Sequence, residues 1–409
     1  MSTYVDEILN NKKFTGNIVI QVGDTYFGIR SPDSGLVIDS PYDKSVVSLT
    51  LNPTSVDVLK VTTTISSFTF RLSDKGNIIT SLVLGDAQNL IGLPVTIWLG
   101  RSGTGMAFAD YFALPLTYVQ KLDHSDNTYS FSCSTSAQRM DRPIYALTSA
   151  TAVDLLVGTT IWTMRDDLTN FPTSVFLKIE DEFVSYTGVD LGANQITGVI
   201  RGELNSVPAE HAQFTDCVLV ETVTDNPLNI LIKILVSGGG GSAYDVLQDG
   251  LGIDNALVDI ADIESLRDDV FLGDQFSLSL YSIDSALKFI EDEILMPNGL
   301  RLTVSRNSKI SVAVLNSARF VEETDVIDED TITKYPKWSL DGVTVTNSIQ
   351  IQWGFNEATQ IFEKYSVFTN DDSVTLYGAS TPLALAFKGI KASLDGDALI
   401  NAFGAKLLD

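Results

Sequence analysis

LTYVQKLDHSDNTYSFSCST, residues 116–135, contains two runs, LTYVQKL and TYSFSCST, in which apolar and polar side chains alternate with period two around a polar break. Successive side chains of an extended chain face opposite ways, so such a run buries one face and wets the other. The same alternation occurs upstream in NIVIQV (17–22), SVVSLTLN (45–52), SSFTFRLSD (66–74) and PVTIWLG (94–100), each bounded by Gly, Asp, Asn or Pro. Six short strands at close spacing, with no strong helical period, predict an antiparallel barrel or sandwich over residues 1–150.

Downstream, SVFLKIEDEFVSYTGVD (174–190) and NQITGVIRG (194–202) are again strand text, broken by turn residues Gly188, Gly192 and Asn194. They predict a small β-module over 151–224, with Val175, Leu177, Ile179, Phe183, Ser185 and Thr187 alternating inward. The pattern changes at DNPLNILIKILV: Asp225 or Asn226 is placed to cap a helix, Pro227 to open it and Gly238 to follow its end. The run Gly238 to Gly241 would be flexible in isolation. A second helix is predicted over Ser282 to Met296, where Ile283, Ala286, Leu287, Ile290, Ile294 and Leu295 fall on one face and Pro297-Asn298-Gly299 ends it. Residues 225–299 therefore form a mixed α+β region. Strand text returns over 300–409 in LRLTVSRNSKISVAVL, a hairpin tipped by Arg306-Asn307-Ser308, and in VTNSIQIQWGF and FEKYSVF, which predicts a second barrel. The last stretch, from Asp397, has helical spacing.

Acidic residues outnumber basic ones 52 to 27, for a formal charge of -25. Such a field repels a phosphate backbone, which argues against nucleic-acid recognition. It suits a conduit wall that DNA passes without sticking, and equally a plain solvated surface. Met1 to Lys13 is polar and charged, so no cleaved leader is expected, and the longest apolar stretch, Leu228 to Val236, is too short and too interrupted for a membrane anchor.

Chemistry-bearing patterns are sparse. His124 and His211 are the only histidines, each in a turn-like context and neither in an HExxH or HxH spacing. No GxSxG elbow accompanies them. The glycines at 238–241 lack the Gly-Lys-Ser/Thr of a phosphate loop, and Gly100, Gly103 and Gly105 lack the βαβ setting of a dinucleotide site, so they are expected at a loop tip. The acidic groups Asp166-Asp167, Glu180 to Glu182, Glu322-Glu323 and Asp328 to Asp330 match no calcium loop and are expected on a solvated face. Cys133 and Cys217 are expected to be reduced and half-buried in strands. The loops Arg101 to Phe108 and Asp166 to Phe171, each with apolar residues in a turn context, are candidate neighbour contacts.

Three stretches resemble the tail-tip (baseplate) hub or distal-barrel proteins of siphophages and gene transfer agents. In Ser174 to Val218 the matching residues are Glu180, Glu182, Tyr186, Gly188, Arg201, Gly202, Ala209, His211 and Asp216. The segment ILVSGGGGSAYDVLQDGLGIDNALVDIADIESLRDD matches through Ser237, Gly238, Gly241, Tyr244, Asp245, Leu247, Gly250, Leu251, Gly252 and Ile253, and is followed by FIEDEILMPNGLRL, which carries Glu293. SSFTFRLSDKGNIITSLV with LIGLPVTIWLG resembles the first tube-like barrel of such hubs. The resemblance implies a mainly β chain with a few helices, in which two tail-tube-like antiparallel β-barrel domains enclose smaller β and α+β domains. It implies a structural, non-enzymatic virion protein in which His211 is a turn residue and not a catalyst. Three copies would place six barrels around a lumen, in contact with tail-tube or distal-tail ring proteins, a tape-measure protein and a central fibre, with phage DNA passing unbound. Some hub relatives carry an iron-sulfur cluster, but two separated cysteines cannot supply four ligands, so no cofactor is expected. The alternatives are a hexameric distal-tail ring protein, a tail-associated enzyme degrading cell wall or capsule, and a host-surface binding module.

Overall fold

The structure, a computed structural model, describes residues 16–38, 42, 44–52, 55–57, 62–64, 67–74, 79–80, 90–101, 105–114, 116–134, 140–304, 309–314, 346–378 and 382–408. The chain is mainly β with a few helices. It divides into two units, residues 1–140 with 302–311, and residues 141–301 with 312–409.

The first unit holds β1 (Gly16–Val22), β2 (Thr25–Gly28), β3 (Val46–Asn52), β4 (Ser55–Asp57), β5 (Thr62–Thr64), β6 (Ser67–Ser73), β7 (Pro94–Arg101), β8 (Phe112–Ala113), β9 (Thr117–Ser125) and β10 (Thr128–Ser134). Antiparallel pairing runs β2-β1-β7-β9-β10-β6-β3, with β8 added to β7, and β4 pairs with β5 separately. All six predicted runs are strands. Ile20 and Phe27 from one end of this path meet Phe68, Phe70 and Leu72 from near the other in a single core, so the sheet curls around it. Phe70 and Phe131, opposite one another in register, stack at 4.7 Å. The alternate residues of β1 and β7 are covered too: Val19 and Trp98 pack with Ile38, Met106, Phe108 and Tyr111. Gly100 lies inside β7 and not at a loop tip, because the Tyr111 ring sits where its Cβ would be, 2.3 Å away.

In the second unit β11 (Thr148–Ala150), β12 (Ile161–Thr163), β13 (Phe176–Ile179), β14 (Glu182–Ser185), β15 (Gly188–Asp190), β16 (Gln195–Thr197), β17 (Ile200–Glu203) and β18 (Asp216–Asp225) build the small module. One sheet runs β11-β18-β13-β14-β17 and a second runs β12-β16-β15. Their shared core includes Trp162, Leu177, Ile179, Val184, Tyr186 and Ile196. The expected inward set after the turn is therefore shifted. The β13–β14 hairpin pairs Ile179 with Glu182 and Leu177 with Val184, so Glu182, Val184 and Tyr186 take the shared core face, while Phe183, buried as expected, lies on the other face opposite Lys178, and Ser185 and Thr187 are not buried.

The C-terminal half of β18 pairs with β19 (Phe276–Leu280) and leads into α1 (Pro227–Val236). The expected cap is present: the Asn226 side chain accepts the Leu228 N–H at 3.0 Å, Pro227 opens the helix and Gly238, just past it, has φ 86°. The helix α2 (Ile260–Val270) follows the glycine-rich turn. The next predicted helix starts later than expected, at α3 (Ala286–Ile290), because Ile283 is held in an extended bridge to Ile144 and the Ser285 side chain caps Lys288 N–H. Its continuation, Glu291–Leu295, is a π-helical turn, followed by a 3-10 turn that ends at Gly299.

The hairpin β20 (Leu300–Val304) with β21 (Ile310–Val314) forms as predicted, its tip lying outside the described residues. A last sheet runs β23 (Ile361–Thr369), β22 (Ser348–Asn356), β24 (Leu383–Ala386), with β22 and β24 parallel. The short helix α4 (Asp371–Tyr377) lies between β23 and β24, and α5 (Gly396–Leu408) ends the described chain. The second barrel expected over 300–409 falls partly on residues 315–345, outside the described residues.

Candidate functional site

The motif residues of the module converge on one buried charge cluster. The turn Glu180-Asp181 connects β13 to β14, and Glu182, the first residue of β14, pairs with Ile179 and so shares its inward face. Glu182 is 1% exposed and its partner Arg201 7%. Arg201 binds it in two-pronged fashion, Nε to Oε1 at 2.6 Å and Nη2 to Oε2 at 2.5 Å, and donates again from Nη1 to the Leu156 carbonyl at 3.0 Å and from Nη2 to the Ala209 carbonyl. The guanidinium lies 5.4 Å from the Trp162 ring centroid. His211 completes the cluster, its Nε2 2.8 Å from Glu182 Oε2 and its Nδ1 2.7 Å from Glu180 Oε2. The Ala209 N–H also donates to Glu182, at 3.1 Å. Burial by itself would raise the Glu182 carboxyl, but the hydrogen bonds from Arg201, His211 and the Ala209 N–H outweigh it and hold the group below its ordinary value.

Two expectations are corrected here. Glu182 is not on a solvated face, since the hairpin register turns it into the core. His211, expected in a turn, is instead a buried residue whose backbone forms a bridge with Leu155. His124 is likewise in a strand, β9, with its ring stacked on Tyr129 at 4.4 Å. The other motif residues of this stretch shape the same module. Tyr186 is buried and donates to the Pro172 carbonyl at 2.8 Å, Gly188 leaves room for the Thr197 hydroxyl, and Gly202, at φ 74°, leaves room for Pro208.

The second motif is a staple on the C-terminal end of α1. The N–H groups of Leu251, Gly252 and Ile253 donate to the carbonyls of Ile234, Ser237 and Leu235 at 2.8, 2.9 and 2.9 Å, so the returning chain satisfies groups the helix leaves unpaired. Ser237 Oγ accepts the Leu247 N–H, and Asp245 accepts the Gly238 N–H at 2.8 Å. Gly250 passes so close that a Cβ there would lie 2.7 Å from the Ser237 carbonyl. Gly241 takes a positive φ of 84° in the exposed turn. Tyr244 donates to Glu264 at 2.7 Å and accepts from Arg267 at 3.0 Å, which ties the turn to α2.

Glu293, in the π turn, is buried, and its Oε2 accepts the Lys388 N–H at 2.7 Å. Burial raises its carboxyl to about 7 against the opposing effect of that N–H and of the Lys388 charge. Nearby, Lys391 donates to the Phe355 carbonyl at 2.6 Å, lies 3.8 Å from Glu357, and is lowered by burial.

None of these groups is arranged as a reaction centre. Both ring nitrogens of His211 face carboxylates and Glu182 is saturated with donors. Among the described residues no group of three or more His, Cys, Asp or Glu could hold a metal ion. Both thiols are free, fully buried and pushed up to about 12 by burial, so neither is a ready nucleophile. The two loops expected to expose apolar residues bury them instead. Met106 and Phe108 pack on Trp98, while Leu168 and Phe171 belong to the module core. Residues 102–104 of the first loop lie outside the described residues.

No family profile and no curated protein matches the sequence. Among solved structures, a chain of the virion of a native gene transfer agent (GTA) particle aligns at TM-score 0.25 and 11% identity, over 53% of this chain and 84% of that one. So distant a likeness carries no argument about this chain. Among the described residues no helix is long and apolar enough to cross a membrane.

Sequence reading missed the Glu182–Arg201–His211 cluster. The signal was present: Glu182 directly precedes apolar Phe183 and opens a strand run, in a stretch with few cations. Reading the acidic run as one solvated unit hid it.

Proposed function

We propose that this chain is a structural, non-enzymatic protein of a phage-like virion. Copies of it form a ring at the distal end of a long tail, join the tail tube to a central fibre and enclose the channel through which DNA leaves. The sequence resemblance supplies the identity of the assembly, and one structural observation supports self-assembly. Strand β23 is nine residues long, pairs only with β22 among the described residues, and exposes Ile361, Tyr365 and Val367 on one face. A long open edge of unpaired backbone groups is a liability in a free monomer and is normally covered. The opposite edge of the same sheet, β24, has no further strand beside it among the described residues. Pairing of unlike edges between neighbouring copies is a heterologous contact, and such contacts close into rings where the rotation between copies closes and run on as open filaments where it does not. The internally satisfied motif clusters fit the same reading, since they brace a scaffold and present no reactive group.

Electron microscopy of the purified chain, and of particles, tests the proposal. A three-fold ring with six similar inner densities is expected for a hub, and a six-fold ring with one barrel per chain would replace the hub by a distal-tail ring protein. The variant Tyr365→Lys with Val367→Lys is expected to abolish rings while leaving the circular dichroism spectrum unchanged. Rings that persist in this variant would remove β23 from the interface.

A further inference from the structure

The segment Phe387–Lys391, which follows β24, is held from two sides. On one side it is bonded to β22: the Phe387 N–H donates to the Gln352 carbonyl at 2.9 Å, and the Gly354 N–H donates to the Ile390 carbonyl at 3.0 Å. On the other side the Ser277 N–H of β19 donates to the Gly389 carbonyl at 2.9 Å, and the Lys388 N–H donates to Glu293 Oε2 at 2.7 Å. Phe387 and Ile390 are buried, and a Cβ at Gly389 would lie 2.9 Å from the Phe276 ring. These five residues therefore join the last sheet to β19 and the π turn in close packing. Turns of the π type are rare and recur at functional sites, and this one carries Glu293 to the joint.

The cations near Glu293 are committed elsewhere. The Lys388 ammonium lies over the Phe355 ring, 5.0 Å from its centroid, and the Lys391 ammonium donates to the Phe355 carbonyl and faces Glu357 at 3.8 Å. The other charges that act on Glu293 are carboxylates. Asp292, beside it in the π turn, is paired with Lys288 of α3, and Glu357, in the β22–β23 turn, accepts from Tyr281 at 3.3 Å. Glu363 of β23 acts on Lys391. The one charged side chain of α1, which packs on the π turn, is Lys233, bound to Asp225, and β19 has none. An ionised Glu293 needs water or a cation around it, and this closed space admits neither unless the segment moves.

We propose that Glu293 is a proton-controlled latch on this joint: its protonated carboxyl seats the segment and its carboxylate loosens it, so that the last sheet lifts locally from β19 and the π turn as pH rises. The raised carboxyl described above sets the window. A group that holds its proton more tightly in the seated state than in the open one makes opening easier as pH rises from the ordinary glutamate value, and the effect is complete near 7. One proton leaves per opening in that window, so the open fraction grows about tenfold per pH unit. All the groups of the latch lie in the second unit, so it does not depend on the assembly proposed above.

The test is hydrogen-exchange mass spectrometry of the full chain between about pH 5 and 8, with each rate divided by the intrinsic chemical rate at that pH. In the parent chain the corrected exchange of the peptide that holds Phe387 and Lys388 is expected to rise about tenfold per pH unit up to about 7 and then level off. The β13–β14 hairpin is expected to show no such rise. Glu293→Gln, neutral throughout, is expected to flatten the profile of the segment. Lys388→Met keeps the backbone N–H but removes a positive charge that favours the carboxylate, so the levelling-off is expected to move to higher pH, which decides the matter even if the Gln variant fails to fold. A parent segment that follows intrinsic chemistry alone, a rise shared equally by β13–β14, or a rise that persists in Glu293→Gln would overturn the proposal. So would a levelling-off point that Lys388→Met leaves in place.

Discussion

At the scale of single residues, Arg201 and Glu182 form a buried, two-pronged pair, and the two partners are not equivalent to water-exposed ions. Removing one leaves the other charge stranded, at a cost of about 3–5 kcal/mol, whereas removing both together is far milder. Arg201→Met is therefore expected to lower the unfolding free energy of the second unit, read from its urea transition, by that amount, and Arg201→Met with Glu182→Leu by clearly less. Fluorescence of Trp162, whose ring faces the guanidinium, reports the transition. The Glu182 carboxyl is held below its unfolded value, so its contribution is fully present above that value and is lost as pH falls through the folded one. At this scale the sequence is least legible. The residue types of the cluster were noted, but the register of a single hairpin decides that Glu182 faces inward, and Ser185 and Thr187 do not.

At the scale of elements, Gly250 and Glu293 make opposite kinds of claim. A methyl group at Gly250 would press on the Ser237 carbonyl and the last turn of α1. Gly250→Ala is expected to cost about 1–3 kcal/mol and to speed hydrogen exchange at Leu251 and Ile253, whose amides hold the helix end. Glu293 has a folded value of about 7, above its unfolded one, so the native state holds its proton more tightly. Its stabilising contribution is complete below the unfolded value, falls as pH rises toward 7 and is absent above that. Glu293→Gln, neutral at every pH, is expected to flatten the fall in midpoint between about pH 4.5 and 7 that the parent chain shows. Strands and α1 were legible because alternation and caps are local. The start of α3 was not, since the bridge between Ile283 and Ile144 spans distant sequence. Nor was α2, whose polar face leaves few apolar positions to read.

At the scale of the whole molecule, a charge of -25 opposes any contact between copies. Assembly through β23 is therefore expected to strengthen as salt rises from about 50 to 300 mM, because the Debye length shortens over that range. Sedimentation velocity measures it, and rings that dissolve in salt would mean that ion pairs and not apolar edges hold them. The mainly β class was legible from composition and period, whereas the division into two units was not: Leu302–Ser311 belongs with residues 1–140, a partnership no local pattern announces. That partnership has a consequence for synthesis. On a ribosome adding roughly 5–20 residues per second, the segment from 141 to 311 takes about 9–34 s to appear. The N-terminal unit must wait through that interval, ten residues short, while the module that follows it is already free to fold. Within the first 311 residues, the module that is made later can thus be finished first.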